Sequence, residues 1–410
     1  MLNKDARLEP TVPHSPARVP PRAMSASVDV ALDAPARALI AHPCVLDADV
    51  RSRFVAVTNA LTRANVVVAI DYIPDTKRAR THTLFTLPDA AAAFDIDGID
   101  GDNGDALFAI VYEDVGCETT RRRGCGVARA ASEEASGTGT GTFDVLRVRD
   151  DNHGASGADD DDAKAFETVK CARFHASRGT LMTVDEFKAR AWTRTETGYR
   201  ATTSMVTRRD SSRSMTIGGM NTIQDGVASG SWDPNDSEVF ACGIDADVAM
   251  FDVRSGERAQ TIVKAHAPQT RDVKYNPNVA HEIMTCGDDG LVKIWDTRAH
   301  AQAMKIIPGH DHWIWRCAYN PVYDALFLTA SSDGGVRLWN DDTKSPQQRD
   351  RSSASRSAVR LVTKRSNERS ISVHSCAWSA VDPWTYASIN ASGVVSICDV
   401  PREEKYRILL

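Results

Sequence analysis

A set of landmarks recurs at one fixed offset in the C-terminal half of this 410-residue chain. His266, Tyr275-Asn276-Pro277, Thr285, Asp289-Gly290 and Trp295 return 44 residues later as His310, Tyr319-Asn320-Pro321, Thr329, Asp333-Gly334 and Trp339. A period in the low forties that closes on Trp, with His upstream and Asp-Gly between, marks one four-stranded propeller blade per repeat. A single blade cannot bury both its faces. The repeat therefore requires neighbours, and the fold class is all-β, a single seven-bladed β-propeller.

Strand logic inside the two clearest repeats is explicit. Asp272 to Tyr275 and Arg316 to Tyr319 give alternating first strands, which Asn-Pro ends because proline cannot donate to the ladder. Glu282 to Cys286 and Ala325 to Ala330 form second strands. The Asp-Gly pairs make the hairpin turn, where glycine accepts positive φ. Leu291 to Trp295 and Val336 to Trp339 supply third strands. The same intervals, weaker, define blades at 371–400, 232–252 and 174–192, and β-rich stretches at 37–73 and 82–148 bring the count to seven.

Residues 1–30, with five prolines among arginines before position 22, read as a disordered tail, and 31–410 as the propeller. Surface inserts are expected at 117–142, 150–163 (with Asp159 to Asp162) and 341–370. The last is Ser/Arg-rich and sets the final two blades 59 residues apart instead of 44. Ring closure is expected from pairing of the terminal segments, with Arg407 to Leu410 beside the first blade.

Composition narrows function. A formal net charge of −6 gives no general attraction to nucleic acid, and no apolar run approaches the roughly 18 residues that span a bilayer. Nine cysteines show neither Cys-x-x-Cys nor zinc spacing, and several sit in apolar alternating runs as small core residues. No phosphate loop or His-Glu-x-x-His motif occurs. His266, Thr285, Asp289 and Trp295, and likewise His310, Thr329, Asp333 and Trp339, read as structural tetrads. Imidazole bridges carboxylate and hydroxyl, and the hydroxyl meets the indole N–H. A set repeated once per blade is architecture, since a catalytic triad occurs once per site. The reading is a non-enzyme that needs no cofactor, with no catalytic, cofactor or metal residues.

The most suggestive surface feature is His310 to Trp315. Alternation turns Ile314 inward and puts Trp313 and Trp315 together where the chain begins a first strand, on the top face beside Arg271 of the preceding blade. Aromatics and arginine are the residue types of interface hot spots. The competing reading packs both indoles between blades.

Several runs resemble one family: Ala265 to Asn278, His312 to Trp315, Leu328 to Asp333, Ala380 to Trp384, and Val400 through Lys405 to Leu410. Ala36 to Leu39, Arg53-Phe54 and Ile70 to Tyr72 add to it. Together they resemble the EARP- and GARP-complex-interacting WD-repeat protein family, well over 225–340 and 371–410, and poorly over 74–224. The resemblance implies a seven-bladed scaffold that associates with EARP/GARP-type tethering complexes. It implies roles in endosomal recycling and endosome-to-Golgi retrograde transport and a cytoplasmic location peripheral to the trans-Golgi network and endosomes, while the charge and the lack of a spanning apolar run point to no nucleic-acid partner and no direct membrane insertion. It also places a functional start at Met24. An alternative follows from Ile283, Asp289, Trp295, Asp296 and Arg298, which fit the WD-Asp-x-Arg box of cullin-type ubiquitin-ligase substrate receptors. Phe251-Asp252 to Arg254 is a partial second copy. In the plainer reading, Asp296 and Arg298 cap the strand and pair with a neighbour.

Overall fold

Seven four-stranded antiparallel sheets follow one another around a ring in a computed structural model of the chain. It describes residues 27–43, 52–60, 63–87, 91–100, 105–114, 123–130, 143–145, 169–176, 179–185, 188–195, 198–207, 216–217, 220–221, 227–344, 359–366 and 370–410. Each blade begins with its innermost strand: Ala36–Ala41, Ala91–Asp100, Cys171–Phe174, Val227–Trp232, Thr270–Tyr275, Ile314–Tyr319 and Val373–Trp378 for blades one to seven. These seven first strands touch their neighbours in a closed cycle, so they line the central channel. We call the face at which they begin the top face.

Packing follows from the alternation read in the sequence. Second strands such as Glu282–Gly287 and Leu326–Ser331 are buried along their whole length, because they are flanked by strands within the sheet and by blades on either side. Outer strands such as Glu257–Ile262 are largely exposed. Seven apolar clusters fill the seven junctions between blades. In one, Met284, Val292 and Ile294 of blade five meet Ile314, Tyr319, Phe327 and Trp339 of blade six. Dispersion and dehydration at these junctions, about 1.5–3 kcal/mol for each fully buried large side chain, hold the ring. The expected hairpin glycines are in place, Gly290 at φ 69° and Gly334 at φ 77°.

The terminal segments close the ring as expected, but through other residues than those expected. The strand that completes blade seven is Ser27–Ala31, antiparallel to Val394–Asp399 with Val28 opposite Ile397 and Val30 opposite Val395. Residues 27–30, assigned above to the tail, thus belong to the propeller; 1–26 lie outside the described residues. Arg407 to Leu410 do not reach blade one. They continue a helix, Arg402–Leu409, whose Glu404 is buried against Asn340 and Arg360 of blade six, while Ile408 joins the junction between blades six and seven. Pro401 has the φ suited to a helix start, Glu403 and Glu404 sit in the first turn, and Arg407 in the last, matching the helix dipole.

Two expected inserts also shrink. Arg123–Ala130 and Phe143–Val145 are the third and fourth strands of blade two, so 117–142 is not one loop. Gly335–Asp341 and Val359–Ser366 are the third and fourth strands of blade six, with a 3-10 turn at Asp342–Lys344. Within Val359–Ser366, Val362 is buried, Arg360 pairs with Glu404, and Arg365 reaches Asp29 of the closing strand at 2.6 Å. The basic character of 359–366 is that of an outer strand whose charges clamp its neighbours. The insert expected at 150–163 lies outside the described residues. Arg78–Thr86 is the fourth strand of blade one, so blade two begins at Ala91, not at 82.

Candidate interaction surface

Both tetrads assemble as spaced. His266 Nδ1 lies 2.8 Å from Asp289 Oδ1 and its Nε2 2.8 Å from Thr285 Oγ1, while the Trp295 indole N–H donates to that hydroxyl at 2.9 Å. In blade six, His310 meets Asp333 at 2.9 Å and Thr329 at 2.7 Å, and Trp339 donates to Thr329 at 2.9 Å. Burial favours the neutral imidazole; its proton on Nδ1 then faces the carboxylate, and Nε2 accepts from the hydroxyl, which itself accepts from the indole. Burial, the largest influence, pushes both histidines below the usual imidazole range in spite of their carboxylates. Blade three keeps half of the arrangement: Trp192 donates to Thr183 at 2.8 Å. In blade seven, Cys398 stands in the Trp position and its Sγ lies 3.3 Å from an Arg365 guanidinium nitrogen.

A pH dependence follows. Depressed histidines favour the neutral form in the fold, while the unfolded chain binds protons below about pH 6.5. Their contribution to stability is therefore complete above about pH 6.5 and falls as the solution is acidified. We expect a lower melting temperature at pH 5.5 than at 7.5, and a flatter profile for the His266→Gln, His310→Gln double variant. Equal melting at both values in the wild type would contradict the neutral tetrads.

Cysteines behave as core residues. Cys125, Cys171, Cys242, Cys286, Cys317, Cys376 and Cys398 are all buried and unpaired, and burial pushes the thiol of Cys171 up to about 12.

Missed in the sequence was the hub. Asp95 of blade two accepts from Arg173 of blade three at 2.5 Å and from Arg316 of blade six at 2.6 Å. Both arginines donate to Ser229 Oγ of blade four, at 3.2 and 2.9 Å, and Arg316 stands 3.5 Å from Asp272 of blade five. Asp272 also accepts the Cys317 backbone N–H at 3.1 Å. Burial disfavours the Arg173 charge, but Asp95 beside it more than offsets this and pushes the guanidinium further up. Five blades are thereby pinned across the channel. Below this layer a cavity of about 310 Å³ is lined by residues that include Asp97, Lys274, Ala318 and Ala377. No spacing rule joins Asp95 to Arg316, 221 positions away.

On the top face the structure brings together the three residues singled out there. Ile314 is fully buried, Trp313 is 40% exposed and Trp315 is half-buried. The indoles meet edge to face at 5.8 Å, and the Arg271 guanidinium lies 5.0 Å from the Trp313 ring and 4.9 Å from the Trp315 ring. Arg271 is held by two hydrogen bonds to Asp288, at 2.5 and 2.9 Å. Trp315 donates to Ser332 at 2.5 Å and lies within 3.2 Å of Ser372 in blade seven. The indoles thus span both readings: Trp315 braces two blades, and Trp313 faces solvent on a rigid base.

The residues of the ligase-adaptor box separate. Ile283 is fully buried, and Asp289 and Trp295 are used in the tetrad. Asp296 and Arg298 pair with each other, at 3.0 and 2.8 Å, on an exposed turn rather than with a neighbouring element.

Residues 202–339, which hold these tetrads and the aromatic cluster, match the family described as EIPR1 beta-propeller. Over that stretch, about a third of the chain, it is similar to EIPR1-type propellers. Curated relatives agree over short stretches. EARP-interacting protein 1 of Caenorhabditis elegans is 42% identical over 45 residues, 11% of this chain and 12% of that protein. EARP-interacting protein homolog of Danio rerio is 51% identical over 43 residues, 10% of this chain and 11% of that one. Each match spans about an eighth or less of the relative's length. Among the described residues, no helix is long and apolar enough to cross a membrane.

Proposed function

We propose that this chain is a non-catalytic scaffold whose propeller associates with EARP/GARP-type tethering complexes, in endosomal recycling, endosome-to-Golgi retrograde transport and vesicle trafficking. On this reading it works in the cytoplasm, peripherally at the trans-Golgi network and endosomes. The EIPR1-type match and the names of the relatives support the partner class. Trp313, 40% exposed and seated on Arg271 and Trp315, carries the choice of surface. A preordered aromatic loses little side-chain freedom on binding and removes a large apolar area from water. The His, Asp and Thr groups that resemble hydrolytic machinery are bound to one another inside the tetrads, once per blade.

Recovery of a purified EARP-type complex on the immobilised chain tests this. Trp313→Ala is expected to weaken binding about tenfold or more with an unchanged melting curve, and Trp315→Ala to weaken it with some loss of stability. Undiminished recovery with both variants would remove the surface assignment. The adaptor alternative has less support, because Ile283 and Trp295 of its box are buried and Asp289 is engaged in the tetrad. Co-purification with a ligase adaptor, lost in Arg298→Ala, would favour it instead.

A further inference from the structure

The channel carries charges that the hub does not absorb. Five charged side chains line the cavity of about 310 Å³ below it: Asp95, Arg173 and Arg316 of the hub, then Asp97 of blade two and Lys274 of blade five. Together with Asp272, the hub sets two guanidinium groups against two carboxylates and is balanced within itself. Asp97 and Lys274 are left, one of each sign. Asp97 accepts the Phe174 backbone N–H at 2.7 Å. Among the described residues, no cation lies within ion-pair distance of Asp97, and no carboxylate within that distance of Lys274. Burial, the largest influence, raises Asp97 above the usual carboxylate range, against the pull of Arg173, the Phe174 N–H and Lys274. Its anionic form therefore has room for a further donor.

Asp97 and Lys274 also border a second cavity, of about 260 Å³, on the side of blades three and four, so they stand where the two cavities meet. The opposite wall of the larger cavity is apolar. There, Ile40 of blade one, Ala318 of blade six and Ala377 of blade seven line it, each partly exposed. Pro321 and Ala380, both exposed just past the ends of their first strands, open it on the bottom face, away from Trp313. A void of about 150 Å³ accepts a benzene ring, so twice that volume accepts a whole aliphatic amino acid.

We infer that this cavity is a binding site for a free amino acid with an apolar side chain, its carboxylate on Lys274, its ammonium on Asp97 and its side chain against Ile40, Ala318 and Ala377. A ligand carrying one charge would leave the other wall group without a partner in a space largely closed to water, whereas a zwitterion satisfies both. The alanines leave the volume that an aliphatic side chain fills, and its burial adds apolar area removed from water. The site lies apart from the Trp313 surface and does not rest on the proposed association with EARP-type complexes.

Calorimetric titration of the full chain with L-leucine, glycine, L-leucinamide and N-acetyl-L-leucine, backed by melting curves, tests it. Leucine should bind saturably and raise the melting temperature. Leucinamide lacks the carboxylate and N-acetyl-leucine the ammonium, and each should bind about tenfold more weakly or worse. Glycine, without the apolar body, should lose about as much. Lys274→Met should erase the preference for leucine over leucinamide, and Asp97→Asn the preference over N-acetyl-leucine. Lys274→Met breaks no ion pair and should melt close to the wild type, while Asp97→Asn keeps an oxygen for the Phe174 N–H. Leucine binding that neither variant weakens, equal affinity for all four compounds, or no saturable binding of leucine to the wild type would overturn the site. Each of these results leaves the association with EARP-type complexes standing, because Trp313→Ala reports that separately.

Discussion

A chain that begins at Leu32 is expected to lose about 3 kcal/mol or more relative to one that begins at Ser27. The missing Ser27–Ala31 strand covers the open edge of Val394–Asp399, and five residue pairs lie in register between them. Val28 and Val30 pack against a core shared by blades seven and one, and half-burial of each contributes about 1 kcal/mol. The exposed edge would also regain unpaired backbone groups and a tendency to associate with other chains. Asp29 would no longer engage Arg365, which opens the clamp to blade six. Val28→Asp, Val30→Asp in the full chain should reproduce most of the loss without shortening it. Gly393→Ala should weaken the same seam: Gly393 has φ 82°, and a Cβ there would collide with the Ala34 carbonyl oxygen. Chemical denaturation read by tryptophan fluorescence measures all four. Midpoints within error of the control for both the shortened chain and the double variant would show that the ring does not depend on this seam.

Pairing of the terminal segments was legible, but the strand that makes it was not. Five alternating residues, Ser27 to Ala31, follow a proline-rich stretch and carry no turn or tryptophan to mark them. Their partner lies more than 360 positions away, and local periodicity holds no information about it. The outer strands share this difficulty. Arg360 to Ser366 reads as a basic loop because only one face of an outer strand is buried, and its charged side chains are the ones that clamp Glu404 and Asp29. By contrast, the tetrads were legible because every member lies within one blade, at spacings set by strand and turn length. The arrangement of Ile314, Trp313 and Trp315 was legible for the same reason: alternation alone decides which side each takes. What alternation could not supply is the bulge at Trp315, which turns a strand residue onto the rim between Arg271 and His374.

Asp95→Ala is expected to destabilise the chain by about 3–5 kcal/mol, the range found when one partner of a buried ion pair is removed. The carboxylate is 5% exposed and serves two guanidinium groups, from Arg173 at 8% and Arg316 at 19%. Without it, Arg173 keeps Ser229 and the Ala172 carbonyl, while Arg316 keeps Ser229 and a 3.5 Å approach to Asp272. Two cations would then lack the carboxylate they share in a layer sealed from most solvent, and each would repel the other. Asp95→Asn should lose nearly as much, because an amide keeps the size and an acceptor but not the charge. Shape is not the issue, and the triple variant Arg173→Met, Asp95→Leu, Arg316→Met tests that by exchanging the whole cluster for apolar volume. It should recover most of the stability, since desolvating the ions offsets most of their attraction. Urea unfolding of the four proteins decides between outcomes. If Asp95→Ala unfolds within about 0.5 kcal/mol of the wild type, the scale of an ordinary surface change, the hub does not hold the blades together. If the single variant is weak and the triple variant is weaker still, the cluster stabilises the ring by attraction exceeding its desolvation. Either result assigns the hub a measured role that is separate from the rim above it, where partner binding is read independently of stability.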